Sequence, residues 1–306
     1  MLVLGLDAMR CVFVTGATGF VGRAVIHALR AEGIKVRCLV RRGSERDLRG
    51  LGAIERIEGD ILDRRGLDED MAGCDAVVHL VGIIREHPAR GVTFENVHAL
   101  GTRNVLQAAV AAGVRRFVHM SALGARAGAR SRYHTTKWAA EEAVRGSGLA
   151  WTIFRPSIIY GPGDGFVTML ARMVRRLPVV PVIGSGRNRL QPVAVEHVAA
   201  GFARALLTPA SEKQTYAVVG PDAVTLVQLL DLIGSALGRR RVRKVHVPLD
   251  VMRPLARAFH ALPGFPVTPD QLLMLEEDSV GDPEPFHSAF GITPMPLAQG
   301  IGRMLA

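Results

Sequence analysis

A chain of 306 residues with 48% hydrophobic and 22% charged residues has the composition of a compact globular protein, which excludes a disordered or low-complexity chain. Its length suits one large α/β domain, or a domain of about 150 residues with a smaller partner. The formal charge of +10 does not mark a nucleic-acid binder: 34 of the 38 cations are arginine and, apart from GRRRVRK at 238–244, they are spread along the chain.

In chain order, the opening MLVLGLDAM has no basic n-region and is shorter than a membrane span, so it reads as neither signal peptide nor anchor but as an extension upstream of a start at Met9. From residue 11, short β-branched runs alternate with longer helical stretches. Strands are expected at 11–15, 35–40, 54–58, 76–81, 115–119 and 151–154, with helices near 20–31, 94–112 and 132–146. That rhythm predicts an α/β, Rossmann-like, doubly wound parallel sheet. Past Pro156 the turn-rich RPSIIYGPGDG leads to an apolar stretch reaching 183, a helix at 195–207 and a strand at 215–219. Helices follow near 225–237, 250–261 and 269–277, and the Pro-rich chain from 280 is expected to be irregular. The division drawn is a nucleotide domain at 9–160, its sheet completed by 191–220, and a smaller, discontinuous C-terminal substrate or docking lobe within 161–306. Cys11, Cys38 and Cys74 make no CxxC pair, and two fall in expected strands. They read as free thiols in a reducing compartment, with no metal site.

VFVTGATGFVGRAVIHAL sets Gly16, Gly19 and Gly22 between the first strand and the first helix. Glycine makes up 33 of 306 residues, so the spacing alone can arise by chance; its context gives it meaning. Backbone N–H groups and the positive helix end converge there on a place suited to a pyrophosphate. Gly16 would permit the turn, Gly19 the approach of phosphates and Gly22 the close packing of helix on strand. At the end of the second strand, CLVRRGSE has Arg41 and Arg42 and no acid before Glu45. An acid there would accept the ribose hydroxyls of NAD, whereas an arginine fork grips a 2′-phosphate. The expectation is NADP, with NAD as the alternative.

In SALGARAGARSRYHTTKWAAEEA, Tyr133 follows Ser121 by twelve residues and Lys137 follows Tyr133 by four. The pair shares a helix face. A phenol with an ordinary pKa of about 10 needs a cation beside it to exchange protons near neutrality, and Lys137 can supply that field. Ser121 follows a strand at the carboxyl edge of the sheet, where its hydroxyl can orient a carbonyl.

Together with EGDILD at 58–63, VVHLVG at 77–82, ENVHALGTRNVLQAA at 95–109 and RPSIIYGPGD at 155–164, these motifs resemble the extended and atypical short-chain dehydrogenase/reductases of the NAD-dependent epimerase/dehydratase superfamily. Within it, SALGA, KWAAEEAV and LQPVAVEHVA look most like the branch of the accessory NAD(P)-binding subunit of respiratory complex I and its bacterial relatives. The resemblance implies that Thr18, Gly19, Phe20 and Val21 line the pyrophosphate and that Asp60 and Ile61 hold the adenine. It implies also that Leu80, Val81, Gly82 and Lys137 face the nicotinamide ribose, and that Pro156, Ser157, Ile158 and Ile159 flank the nicotinamide. Ser121, Tyr133 and Lys137 are then the catalytic candidates. His197 departs from the pattern, since the family usually places an acid there. Three functions remain open: hydride transfer between NADP(H) and a carbonyl or quinone-like substrate; a non-catalytic or redox-sensing NADP(H)-binding subunit of a respiratory assembly; and sugar-nucleotide epimerisation or dehydration, with GSGRNR at 184–189 supplying cations. Tyr160, Phe166 and Met169 are the pocket candidates. The expected partner is a small-molecule substrate, not nucleic acid, and the expected location is cytoplasmic, with peripheral contact at the inner face of a membrane or a respiratory complex.

Overall fold

Short runs such as Val12-Phe13-Val14 and Val77-Val78 are buried on both faces, as crossover helices require of a parallel sheet. The computed structural model describes residues 9–44, 48–260, 262 and 265–306; the opening octapeptide and Glu45 lie outside the described residues. The first elements are β1 (Cys11–Thr15), α1 (Phe20–Ala31), β2 (Lys35–Val40), β3 (Glu55–Glu58), α2 (Leu67–Met71), β4 (Ala76–His79), α3 (Gly101–Ala111), β5 (Arg116–Met120), α4 (Arg132–Arg145) and β6 (Ala150–Pro156). A π-helical turn, Glu95–Leu100, precedes α3 within what the sequence suggests is one continuous helix.

From one edge inward, the seven-stranded sheet runs Gln214–Val218, β6, β5, β4, β1, β2, β3. Pairing is parallel from β6 to β3, with Val12 opposite Val36 and Ala76, and His79 opposite His119. The chain leaves β1 toward β2 on one side, while β4 lies on the other. Sheets with such a reversal bind ligands outside the carboxyl ends of the strands that flank it, which here are β1 and β4.

The chain forms two compact units: the first holds residues up to Ser121, Thr136–Phe154 and Val198–Tyr216, and the second Ala122–Thr135, Arg155–His197 and Ala217–Ala306. Around the sheet, Phe13, Val77, Val105, Phe117 and Ile153 build the core of the first unit. The remaining elements are β7 (Ile159–Tyr160), α5 (Phe166–Arg176), β8 (Val180–Ile183), β9 (Arg189–Leu190), β10 (Val193–Ala194), α6 (Val195–Ala205), β11 (Gln214–Val218), β12 (Val224–Thr225), α7 (Leu226–Ala236), β13 (Lys244–Val247), α8 (Leu249–Phe259), α9 (Pro269–Leu275), α10 (Glu284–Ala289) and α11 (Leu297–Leu305). In the second unit β7 pairs with β10 and β8 with β13 in parallel, and β9 with β12 antiparallel.

The expectation of an irregular tail from 280 is corrected by α10 and α11. Their prolines, Pro283 and Pro296, stand at the N-caps, where a missing N–H costs no helical hydrogen bond. α11 then buries Leu297, Gly300 and Ile301. Among the described residues no helix is long and apolar enough to cross a membrane.

Candidate functional site

The glycine loop is built by exclusion. Gly16 has φ +76°, and a Cβ there would meet the Leu80 carbonyl carbon and the Val81 nitrogen, each at 3.0 Å. At Gly22 a Cβ would run into the Gly16 carbonyl and come within 2.8 Å of that of Ala17. Gly19 differs: it is exposed, and an added carbon would meet only the Gly16 oxygen, at 3.3 Å. It opens α1, whose first turn has no side-chain cap and no acid, so the positive end of the helix is uncompensated. Val21 turns its side chain into the core, leaving its backbone for a ligand, while Thr18 and Phe20 are half-buried.

The Val40 carbonyl at the end of β2 accepts from Gly59 N–H at 3.0 Å, which brings Arg41 and Arg42, both exposed, beside the loop of Asp60. Asp60 accepts from Leu62 N–H at 3.0 Å, and so shapes its own turn. Buried Ile61 packs where only a glycine, Gly101, leaves room, and its carbonyl accepts from the Asn104 amide at 2.9 Å.

After β4, Leu80 donates its N–H to Thr15 O at 3.1 Å. Lys137, 2% exposed, extends from α4 to donate to Met120 O at 3.0 Å and approaches Val81 O at 3.5 Å. A Cβ on Gly82 would lie 3.0 Å from its Nζ. Burial lowers the Lys137 pKa from 10.5 to about 8, against the attraction of Glu141. Below it lie three buried imidazoles. His98 accepts from Ile83 N–H at 3.1 Å, which makes Nδ1 the protonated nitrogen that faces Thr136 Oγ1 at 2.9 Å. His79 bridges Thr15 and Thr102 at 2.6 and 3.0 Å, and His119, stacked on it with centroids 5.4 Å apart, has no partner among the described residues for either ring nitrogen. Burial first, and charge from Lys137 among other groups, brings His79 down to about 3, His98 to about 2 and His119 well below 6.5. Below pH 6.5 the unfolded chain takes up protons that these rings refuse, so stability falls with acidification, by up to about 1.4 kcal/mol per pH unit for each ring. Urea denaturation is therefore expected to show a loss of several kcal/mol between pH 6.5 and 5. A flat profile over that interval would mean that the rings accept protons in the folded protein.

Ser121, 2% exposed, donates its hydroxyl to Glu141 Oε1 at 2.6 Å. Glu141 is fully buried and receives Arg145 on its other oxygen at 2.6 Å. Arg145 in turn lies over the Trp138 ring at 4.9 Å and nears that of Trp151 at 5.9 Å. Glu141 is one turn beyond Lys137 in KWAAEEA, so its spacing was legible although its role was not.

Tyr133 belongs to the second unit. The Asp270 carboxylate accepts from the backbone N–H groups of Arg132 and Tyr133 at 2.7 and 3.1 Å, covering the exposed end of α4. Burial, then the charge of Asp270, pushes the phenol up to about 12. Nearby, Arg126 pairs with Glu277 at 2.8 Å and Arg130 with Glu276 at 3.3 Å, so this segment is clasped by acids some 140 residues downstream. Pro156 accepts from Leu123 N–H at 2.9 Å, and the Ser157 hydroxyl lies 3.1 Å from that of Ser279; Ile158 and Ile159 are half-buried.

The three pocket candidates lie in the second unit. Tyr160 lines a cavity of about 360 Å³ with Glu196, His197, Met295 and Arg303; Phe166 packs against the core cluster that includes Tyr160, and Met169 is 37% exposed. In GSGRNR, Arg189 is committed to Asp278 at 2.9 Å. His197 meets His287 edge-on at 5.8 Å, and Glu196, one residue earlier, supplies the acid in the first turn of α6.

Fold and glycine loop together define a Rossmann-type nucleotide-binding protein. The model of the NAD dependent epimerase/dehydratase family matches residues 12–220, and the chain belongs to that family. It is 34% identical over 238 residues to a ceramide reductase of Caulobacter vibrioides, covering 76% of this chain and 73% of the relative. It is 31% identical over 292 residues to the NADH dehydrogenase [ubiquinone] 1 alpha subcomplex subunit 9 of Mus musculus, covering 93% and 76%. Among solved structures, the Bordetella bronchiseptica enzyme WbmH in complex with NAD+ superimposes with a TM-score of 0.74 at 21% identity, over 97% of each chain.

Proposed function

We propose that the protein is an NAD(P)H-dependent reductase of a ketone or quinone-like carbonyl, with Tyr133 as the proton donor. The observation that carries this reading is the placing of Tyr133 and the buried Lys137 one turn apart on α4, whose start is fixed by Asp270. A phenol is protonated at neutral pH, and a raised pKa makes it a weaker acid, so proton donation depends on Lys137 stabilising the phenolate that remains. The glycine cradle and the uncompensated start of α1 fit a pyrophosphate, and Arg41 with Arg42 favours NADP over NAD. The reduced nicotinamide, when bound, supplies the hydride. Tyr133 gives its proton to the carbonyl oxygen, and Lys137, one turn away on α4, stabilises the phenolate left behind. Ser121 directs its proton at Glu141, so to orient a carbonyl oxygen, which only accepts, its hydroxyl turns from Glu141 to donate to the substrate. The resemblance to a protein named ceramide reductase supports a reductase.

The test is NADPH and NADH oxidation against panels of lipid ketones, quinones and nucleotide sugars, with Tyr133→Phe beside the parent. The expected result is a loss of about 10²–10⁴-fold in turnover with NADPH affinity unchanged, and tighter binding of NADPH than of NADH. Equal rates in the two proteins would remove Tyr133 from the mechanism. The second reading is a non-catalytic NAD(P)-binding subunit, peripheral to a respiratory assembly on the cytoplasmic face of a membrane. The mouse complex I subunit, similar over 93% of this chain, favours it. Stoichiometric co-purification with such an assembly, and silence across the panels, would decide for it.

A further inference from the structure

The amino edge of the sheet carries chemistry that has no part in the proposed reduction. Cys11 opens β1 and Cys74 lies two residues before β4, and their sulfurs are 3.2 Å apart. Backbone contacts hold both in place: Asp75 N–H donates to Cys11 O at 2.9 Å, Cys11 N–H to Asp75 Oδ2 at 3.0 Å, and Cys74 N–H to Met71 O at 3.0 Å. Cys11 is half-buried and Cys74 buried, so Cys11 is the more accessible residue of the pair. Arg37 is anchored to Asp70 O and Ala72 O at 2.9 and 2.8 Å and bears on both sulfurs with its positive charge.

We propose that Cys11 and Cys74 form a reactive dithiol that a hydroperoxide converts into an intrachain disulfide. The sulfurs must close from 3.2 Å to about 2.05 Å, a movement within the reach of side-chain rotation. The order of events follows from the environment. The two thiols share one hydrogen bond; that contact first, and then the Arg37 charge, against burial and the carboxylates of Glu55 and Asp75, brings Cys11 down to about 7, while Cys74 is raised by its bond to Cys11 and by burial. Cys11 thiolate attacks a peroxide oxygen and breaks the O–O bond; with one proton taken up, the products are the Cys11 sulfenic acid and water or an alcohol. Cys74 sulfur then attacks the Cys11 sulfur and displaces hydroxide, which takes the Cys74 proton and leaves as water. Two electrons pass from the thiol pair to the peroxide, and a dithiol reductant reverses the change. Cys38 is the internal control, since it is fully buried and pushed up to about 12.

The experiment exposes the full chain to hydrogen peroxide and maps the digested peptides by mass spectrometry without reduction. The expected result is a Cys11–Cys74 linked peptide two hydrogens lighter than its parts, lost on treatment with dithiothreitol, with Cys38 modified at least about tenfold more slowly. Cys74→Ser should instead accumulate sulfenic acid or its further oxides at Cys11, trapped by a dimedone probe. Oxygen addition to Cys11 in the parent protein without the cross-link, three unmodified thiols, or a bond to Cys38 would overturn the proposal. The parent's peptide map decides even if the variant does not fold.

Discussion

Lys137→Met is expected to abolish turnover and to make the protein more stable. Lys137 is buried, and its depressed pKa records the cost of keeping an ammonium group away from water. At pH 7 that cost is about 3 kcal/mol by linkage, partly offset by the bond to Met120 O that the substitution loses. Methionine fills a similar volume without the charge, so a net gain of about 1–2 kcal/mol and a Tm higher by a few degrees are expected. Turnover should fall by about 10²–10⁴-fold. The pH dependence gives an independent check. Between about pH 8 and 10.5 the unfolded chain retains a proton that the folded lysine has released, so the stability contribution from this residue rises with pH across that window. The rise should be absent from the variant. A less stable variant with normal turnover would contradict both halves of the argument.

Gly22→Val is expected to destabilise the protein by roughly 3 kcal/mol or more and to abolish nucleotide binding. The side chain would collide with the backbone carbonyls of Gly16 and Ala17, and relief requires α1 to move off β1. Gly19→Ala separates the two effects. Its added carbon meets one oxygen at 3.3 Å on an exposed surface at an ordinary negative φ, so folding should survive. Affinity for NADPH should nevertheless drop by about tenfold or more, because the methyl occupies the approach of the phosphates. Denaturation curves and a fluorescence titration of NADPH on both variants make the comparison. Equal loss of stability in the two would show that the loop is not graded in this way.

The parallel sheet was legible because local signals agree with the fold. Val12 to Val14 and Val77 to Val78 are continuous apolar runs, and Gly16 and Gly22 stand where strand meets helix. The region after 156 was harder to read for a physical reason. β7, β9, β10 and β12 are two residues each, too short for any periodicity, and the prolines at 283 and 296 signal helix starts as readily as irregular chain. At the site, residues whose roles follow from local spacing, such as Lys137, could be nominated from the sequence. Those acting through space could not. Nothing near His98 announces that it joins Ile83 to Thr136, and nothing at Asp270 announces a contact with residue 133.

That last contact sets the minimum length of polypeptide needed to place the phenol. The family match ends at residue 220, yet the first turn of the helix bearing Tyr133 is held by a carboxylate fifty residues further on. A chain shortened at the family boundary would keep the glycine loop and Lys137 but leave Tyr133 on an unanchored helix end. On the proposed reading, nucleotide binding and proton donation have different genetic footprints: substitutions beyond residue 220 are expected to silence the second while sparing the first.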